Sequence, residues 1–233
     1  MKRLTSRIGF FVAFVALFGL VSCSNDSNEP LNFEVDNELS GSITGTRTLD
    51  PSVVYKLTGS LIVEEGGVLN IPAGTMIKSQ KGFSNYILVL QGGKIFAKGT
   101  AEKPIVMTAD VSNAGSGYWG GLIINGKAKI SGVAGKTATG TTEINSAYLY
   151  GGNNDEDSSG ELTYVRLEYC GARSSAEIEH NGLTLNGVGS GTKIENIYIL
   201  ESADDGIEFF GGAVHVKNLL VVNPDDDMFD MTQ

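Results

Sequence analysis

Six carboxylates mark where this chain could do chemistry. Asp204, Asp205 and Glu208 are followed 22 residues later by Asp226, Asp227 and Asp230, with Asp225 alongside. If the two segments stack as parallel strands, like charges come to about 5 Å from one another. Carboxylates that close repel, so either some keep their protons or a cation sits between them. Calcium is the natural cation for hard oxygen ligands. The plain alternative is that Asp favours corners, where it bonds its own backbone, and that a repeat copies the corner.

The elements that must hold these acids repeat with the same spacing. Ile194 pairs with Val216, Asn196 with Asn218, Ile197 with Leu219 and Ile199 with Val221. A period in the low twenties, built of short apolar runs broken by turn residues, is the mark of a solenoid. Strand-like alternation and β-branched content make it a parallel β-helix. Earlier, SLIVEEGGVLNIPAGTMI and YILVLQGGKIFAKGTAEKPIVMT align at an offset of 26 through Gly66-Gly67 and Gly92-Gly93, then at 25 through Gly74-Thr75 and Gly99-Thr100. Glycine suits such corners because positive φ penalises a side chain. Tyr118 to Ile130 reads as another pair of short strands. Leu162 to Gly171 aligns with the Ile194 coil at an offset of 32, which predicts a loop bulging out over Ala172 to His180.

Within the strands, Ile197/Leu219 and Ile199/Val221 alternate with Tyr198/Leu220 and Leu200/Val222; one set should point inward and the other form an outer apolar face, expected to be covered by a loop or later sequence and set against an interaction surface. Asn196 over Asn218 is expected to be an internal asparagine ladder at a turn. Cys170 reads as a small residue of the interior rather than a nucleophile. His180 and His215 are expected at the surface. The irregular stretch Val133 to Gly160 ends in YGGNNDEDSSG, where Asp155 and Asp157 form a weaker candidate metal loop, set against a plain solvated acidic loop. The chain stops at Met231-Thr232-Gln233 straight after a repeat strand, so the solenoid is expected to be incomplete or its end covered by a partner.

Charge separates the two ends of the chain. Lys2, Arg3 and Arg7 precede residue 22, and without that stretch 14 basic residues face 27 acidic ones, a formal charge of −13. Such a surface argues against nucleic acid. Residues 1–22 have a basic start and an apolar run from Ile8 to Val21, too short to span a bilayer but right for a signal-peptide core. Leu20-Val21-Ser22-Cys23 resembles a bacterial lipobox, which implies cleavage before Cys23 and lipidation of that residue. Ser24 to Asn32 are polar and without period, so residues 23–45 read as a tether and 46–233 as the β-helix. Ser24 after the cysteine resembles sorting to the outer membrane, and Asp26 and Glu29 resemble the export signals of surface lipoproteins.

GGKIFAKGTAEKPIVMTA, YWGGLIINGKAKI and ADDGIEFFGG resemble the right-handed parallel β-helix lipoproteins of Bacteroidetes, within the pectate-lyase-like superfamily. The resemblance implies an all-β, right-handed parallel β-helix with coils of about 22 to 26 residues, held at the outer membrane or cell surface of a Gram-negative bacterium. It leaves function open, because this fold hosts many activities. The aspartate pair is similar to that of polygalacturonase-like glycosidases, but no Gly-His-Gly and no Arg-x-Lys follows. Pectate lyases use calcium with an arginine or lysine base, and no motif selects Arg166, Lys193, His215 or Lys217 for that role. The expectation is a non-catalytic binding surface for glycan or another envelope or host component, with calcium stabilisation of the acidic corner set against a plain aspartate corner. Its rivals are a polysaccharide lyase or hydrolase working at the acidic corner, and a structural spacer.

Overall fold

The computed structural model describes residues 36–132, 138–175 and 178–232, so the expected signal peptide, Cys23 and the first part of the tether lie outside the described residues. The described chain is all β: its 19 strands form one large parallel sheet system and two small hairpins, with no helix among the described residues. The pairings separate into three columns that run the length of a parallel β-helix. The first contains Thr46–Thr48, Val68–Pro72, Lys94–Lys98 and the start of Gly160–Glu168. The second contains the start of Val54–Val63, then Met76–Ser79, Ile105–Ala109 and the end of Gly160–Glu168. Strands Lys193–Leu200 and His215–Val222 extend both columns, because each bends at a single residue. The third contains the end of Val54–Val63, then Gly82–Val89, Trp119–Asn125, Leu183–Asn186, Ile207–Phe210 and Phe229–Met231.

Registers follow the 22-residue repeat, with Ile197 on Leu219, Ile199 on Val221 and Glu208 on Asp230. The offset of 32 holds as well, Leu162 lying on Ile194. Its extra residues form the small hairpin Arg173–Ser175 with Ile178–Glu179, where a bulge was expected. Side chains of alternate residues stack inward as ladders, one of them Tyr55, Ile77, Met107, Leu167, Ile199 and Val221, all buried. Each such aliphatic side chain contributes roughly 1.5–3 kcal/mol by leaving water. Cys170 lies in this interior, and burial pushes its thiol up to about 12. On the outer face of the first column, Lys98, Glu161, Lys193, Glu195 and Lys217 pair in a zigzag at 3.0, 3.0, 3.6 and 3.4 Å. These exposed pairs are each worth a few tenths of a kcal/mol to about 1 kcal/mol.

Several expectations need correction. The tether does not reach residue 45: Glu38–Ile43 is a strand, pairs with Val54–Val63 and buries Leu39, because its two apolar residues suffice when a full coil waits beneath. Gly74-Thr75 and Gly99-Thr100 are not in register at 25; the offset stays 26 through Pro72 on Lys98 and becomes 30 at Met76 on Val106, the later corner being longer. Tyr118 to Ile130 supplies one strand, Trp119–Asn125, not two. The outer set that includes Leu220 is not covered, Leu220 being 57% exposed. The covered outer face belongs to the third column, where hairpin Gly140–Thr142 with Asn145–Tyr150 lays Ile144 and Tyr148 on Tyr86, Leu88 and Ile123.

The asparagine pair is real but lies outside. Asn218 Nδ2 donates to Asn196 Oδ1 at 2.9 Å, and both residues have positive φ at the bend between the first two columns. Asparagine tolerates that left-handed backbone, which explains its choice. A buried ladder exists elsewhere, Asn186 Nδ2 donating to Asn125 Oδ1 at 3.0 Å.

Candidate functional site: an acidic corner

The corner between the second and third columns gathers the acids. Asp204 and Asp205 end the loop that leads into Ile207–Phe210, and Asp226 and Asp227 occupy the same place one coil later. Glu208 and Asp230 stand in register on the third column, in an outward row that begins Ile62, Leu88, Ile123 and Thr184. The row turns from apolar to acidic where the covering hairpin ends its apolar contact. Carboxylate oxygens of Asp205, Glu208 and Asp230 lie within 4.8 Å of one another, and so do those of Asp204, Asp205 and Asp226. The fit to calcium is direct, since ligands at about 2.3–2.6 Å from an ion lie within roughly 5 Å of each other.

Asp227 differs from the other five. Its side chain belongs to neither triad; its backbone N–H donates to Asp205 Oδ1 at 3.0 Å. Asp155 and Asp157 lie apart from this corner and tie their loop to the coil below. Asp155 accepts from the Lys129 backbone N–H at 3.0 Å and Lys129 Nζ at 2.8 Å, and Asp157 accepts from the Lys127 N–H at 3.0 Å.

The two triads differ electrostatically. Arg173, on the small hairpin, donates to Asp204 Oδ1 at 2.8 Å and reaches Glu179 at 3.5 Å and Asp226 at 4.0 Å. Among the described residues no ion pair reaches Asp205, Glu208 or Asp230. Their neighbours are neutral donors: Asn181 Nδ2 to Glu208 Oε2 at 2.6 Å, and Thr232 Oγ1 to Glu208 Oε1 at 2.7 Å and Asp230 Oδ2 at 2.8 Å. Burial, with adjacent carboxylates adding to it, pushes Asp205 up to about 6 and Glu208 up to about 8. Asp204 is raised as well, by burial, against the pull of Arg173. Glu143 hangs from the covering hairpin; it keeps contact with solvent, yet the protein around its carboxyl, with Glu179, Asp205 and Asp230, raises it to about 7.

Sequence reasoning did not single out Arg173, Glu143, Glu179, Asn181 or Thr232. No periodic signal marks them: Arg173, Glu179 and Glu143 lie in insertions to the repeat, Asn181 directly follows one, and Thr232 follows the last repeat strand. His180 is also corrected. It is 1% exposed, not at the surface, and packs between Phe83 and Tyr86 with ring centroids at 4.4 and 5.0 Å. Burial lowers its imidazole to about 4, so it is neutral, and Nε2 lies 3.0 Å from the Phe83 carbonyl. His215 is exposed, as expected.

The model of one known family, described as a pectate-lyase like beta helix domain, matches residues 41–233. No curated protein and no solved structure matches the chain.

Proposed function

The chain belongs to the pectate-lyase-like β-helix domain family, and from that premise we propose an exported, lipid-anchored binding module whose acidic corner takes calcium. Fold alone does not choose an activity. The observation that carries the reading is the contrast between the triads: Arg173 compensates Asp204, whereas Asp205, Glu208 and Asp230 meet other carboxylates and neutral donors, with no cationic side chain paired to them among the described residues. Those three carboxylates would hold the ion, with the Thr232 hydroxyl beside them. Calcium accepts six to eight oxygens, so a polysaccharide of the envelope or host could complete the shell. The membrane is engaged through Cys23, as the lipobox resemblance implies, at the outer membrane or cell surface.

A hydrolase reading has one observation in its favour, the raised Asp205 and Glu208 carboxyls, which bracket neutral pH as an acid and base pair would. Sequence weighs against it: no Gly-His-Gly and no Arg-x-Lys accompanies these acids. The deciding experiment is thermal unfolding with calcium and with chelator, in the parent and in Glu208→Gln, beside an assay for reducing ends on a polysaccharide panel. Calcium should raise the parent melting temperature only, and no ends should appear. Indifference to calcium removes the cation; released ends restore the enzyme.

A further inference from the structure

The buried asparagine ladder of the third column stops one atom short. Asn125 Nδ2 donates to the Leu149 carbonyl at 3.0 Å, and Asn186 Nδ2 donates to Asn125 Oδ1 at 3.0 Å. The next place in register is Phe210, which has no amide to continue the ladder. Asn186 Oδ1 is left over: the residue is 2% exposed, and this oxygen has no hydrogen-bond partner among the described residues. Leaving a buried acceptor unpaired is costly, so such an atom points to an occupant beside it.

Asn186 lines a small cavity between the third column and the two hairpins, Gly140–Thr142 with Asn145–Tyr150 and Arg173–Ser175 with Ile178–Glu179. Its volume is about 10 Å³, room for one body the size of a water molecule. The other polar walls also offer oxygen. Thr184 Oγ1 accepts from Asn181 Nδ2 at 3.3 Å, and the Thr142 hydroxyl gives its proton to the Asn145 carbonyl at 2.8 Å. Glu143 and Glu179 bring one carboxylate from each hairpin. Asp205, Glu208 and Asp230 are not among the walls, so the cavity is distinct from the acidic corner.

Charge selects the occupant. Arg173 lies 3.5 Å from Glu179 and answers its charge, whereas Glu143 has no ion pair among the described residues. A water would satisfy Asn186 but leave the Glu143 charge unanswered. One uncompensated carboxylate with amide and hydroxyl oxygens suits a monovalent cation; calcium sites gather more carboxylate charge. A space of one water fits sodium and is tight for potassium. We infer that this cavity binds a sodium ion through Asn186 Oδ1, the Glu143 carboxylate and the Thr184 hydroxyl. The ion takes the place where Phe210 interrupts the ladder, and it clamps the covering hairpin to the third column. It does not depend on calcium at the corner.

The test is thermal unfolding of the full chain at pH 8 in chelator, with sodium, potassium or N-methylglucamine chloride at one ionic strength. At that pH Glu143, raised to about 7, carries its charge. Sodium should raise the melting temperature by roughly 2–4 °C over N-methylglucamine, and potassium by less. Glu143→Gln, at an exposed position on the hairpin, should fold and lose the sodium increment, and Asn186→Ala should lose it too. Glu208→Gln should keep it. Hydrogen exchange across Asn145–Tyr150 should slow in sodium in the parent and not in Glu143→Gln. Equal melting temperatures in the three salts put a water in the cavity and overturn the ion. An equal rise in sodium and potassium is charge screening and does the same. An increment lost in Glu208→Gln but kept in Glu143→Gln moves the ion to the acidic corner and likewise overturns the site.

Discussion

Asn181 joins two acids through one amide: its Nδ2 donates to Glu208 Oε2 at 2.6 Å, and its Oδ1 accepts the Asp205 backbone N–H at 3.2 Å. Asn181 is fully buried. It follows the small hairpin that carries Arg173, so the insertion both covers the corner and fixes the direction of its carboxylates.

Removal of that amide should be costly. Asn181→Ala leaves one oxygen of the buried Glu208 carboxyl and the Asp205 backbone N–H without partners, a loss of about 1–3 kcal/mol. The loss should be larger at pH 8 than at pH 6, since ionised Glu208 needs the donor more. Thermal or urea unfolding at both values measures it; an equal loss would show that the amide serves packing alone.

The acid-raised corner sets a direction for stability against pH. Glu208, ordinarily at 4.5, is held at about 8, and Asp205, ordinarily at 3.8, at about 6. The folded state therefore binds more protons than the unfolded state, and stability falls as pH rises from about 4 to 8. Without calcium the protein should melt higher at pH 5 than at pH 8. Calcium replaces the protons, so its stabilising effect should grow across that window. Melting curves in chelator and in calcium test both, and a curve that rises with pH in chelator would contradict the burial of these acids. Glu208→Gln should flatten the profile.

Much of the fold was readable because the last coils are built to one period with no insertion, as in Ile194 on Val216 and Glu208 on Asp230. The acids were readable for the same reason. What escaped lies where the period breaks. The buried pair Asn125 and Asn186 is 61 residues apart, across the covering hairpin, so no fixed offset shows it. Arg173 reaches the corner from an insertion and Asn181 from directly after it, and their roles depend on a three-dimensional path that residue spacing does not encode. Strand Glu38–Ile43 is weakly apolar and forms because the coil under it supplies both hydrogen bonds and a place for Leu39.

A glycine tests the register between coils. Gly160 has φ 115° and opens the strand that lies on Ile95, where a Cβ would overlap the Ile95 carbonyl oxygen. Gly160→Ala should cost more than the roughly 1–3 kcal/mol of strained backbone alone, because the coils must also separate. Gly115→Ala, in open space, should stay within about 0.5 kcal/mol. Chemical denaturation compares the two, and similar values would mean that the coils are looser than their registers imply.

The anchor is tested apart from the coil. The proposed processing and acylation at Cys23 rest on a basic start, the apolar run from Ile8 to Val21 and the lipobox resemblance of Leu20 to Cys23. Each buried methylene holds the protein with about 0.8 kcal/mol, so one acyl chain binds reversibly while several keep a soluble domain on the membrane. Without the cysteine sulfur no lipid can be attached there, and nothing in the acidic β-helix favours anionic headgroups. Expressed in a Gram-negative host, the parent should sediment with membranes and partition into detergent, and Cys23→Ala should appear in the soluble fraction. Metabolic labelling with a fatty-acid analogue should mark only the parent. A Cys23→Ala protein that still partitions into detergent would place the membrane attachment elsewhere in the chain and leave the lipobox resemblance without a function.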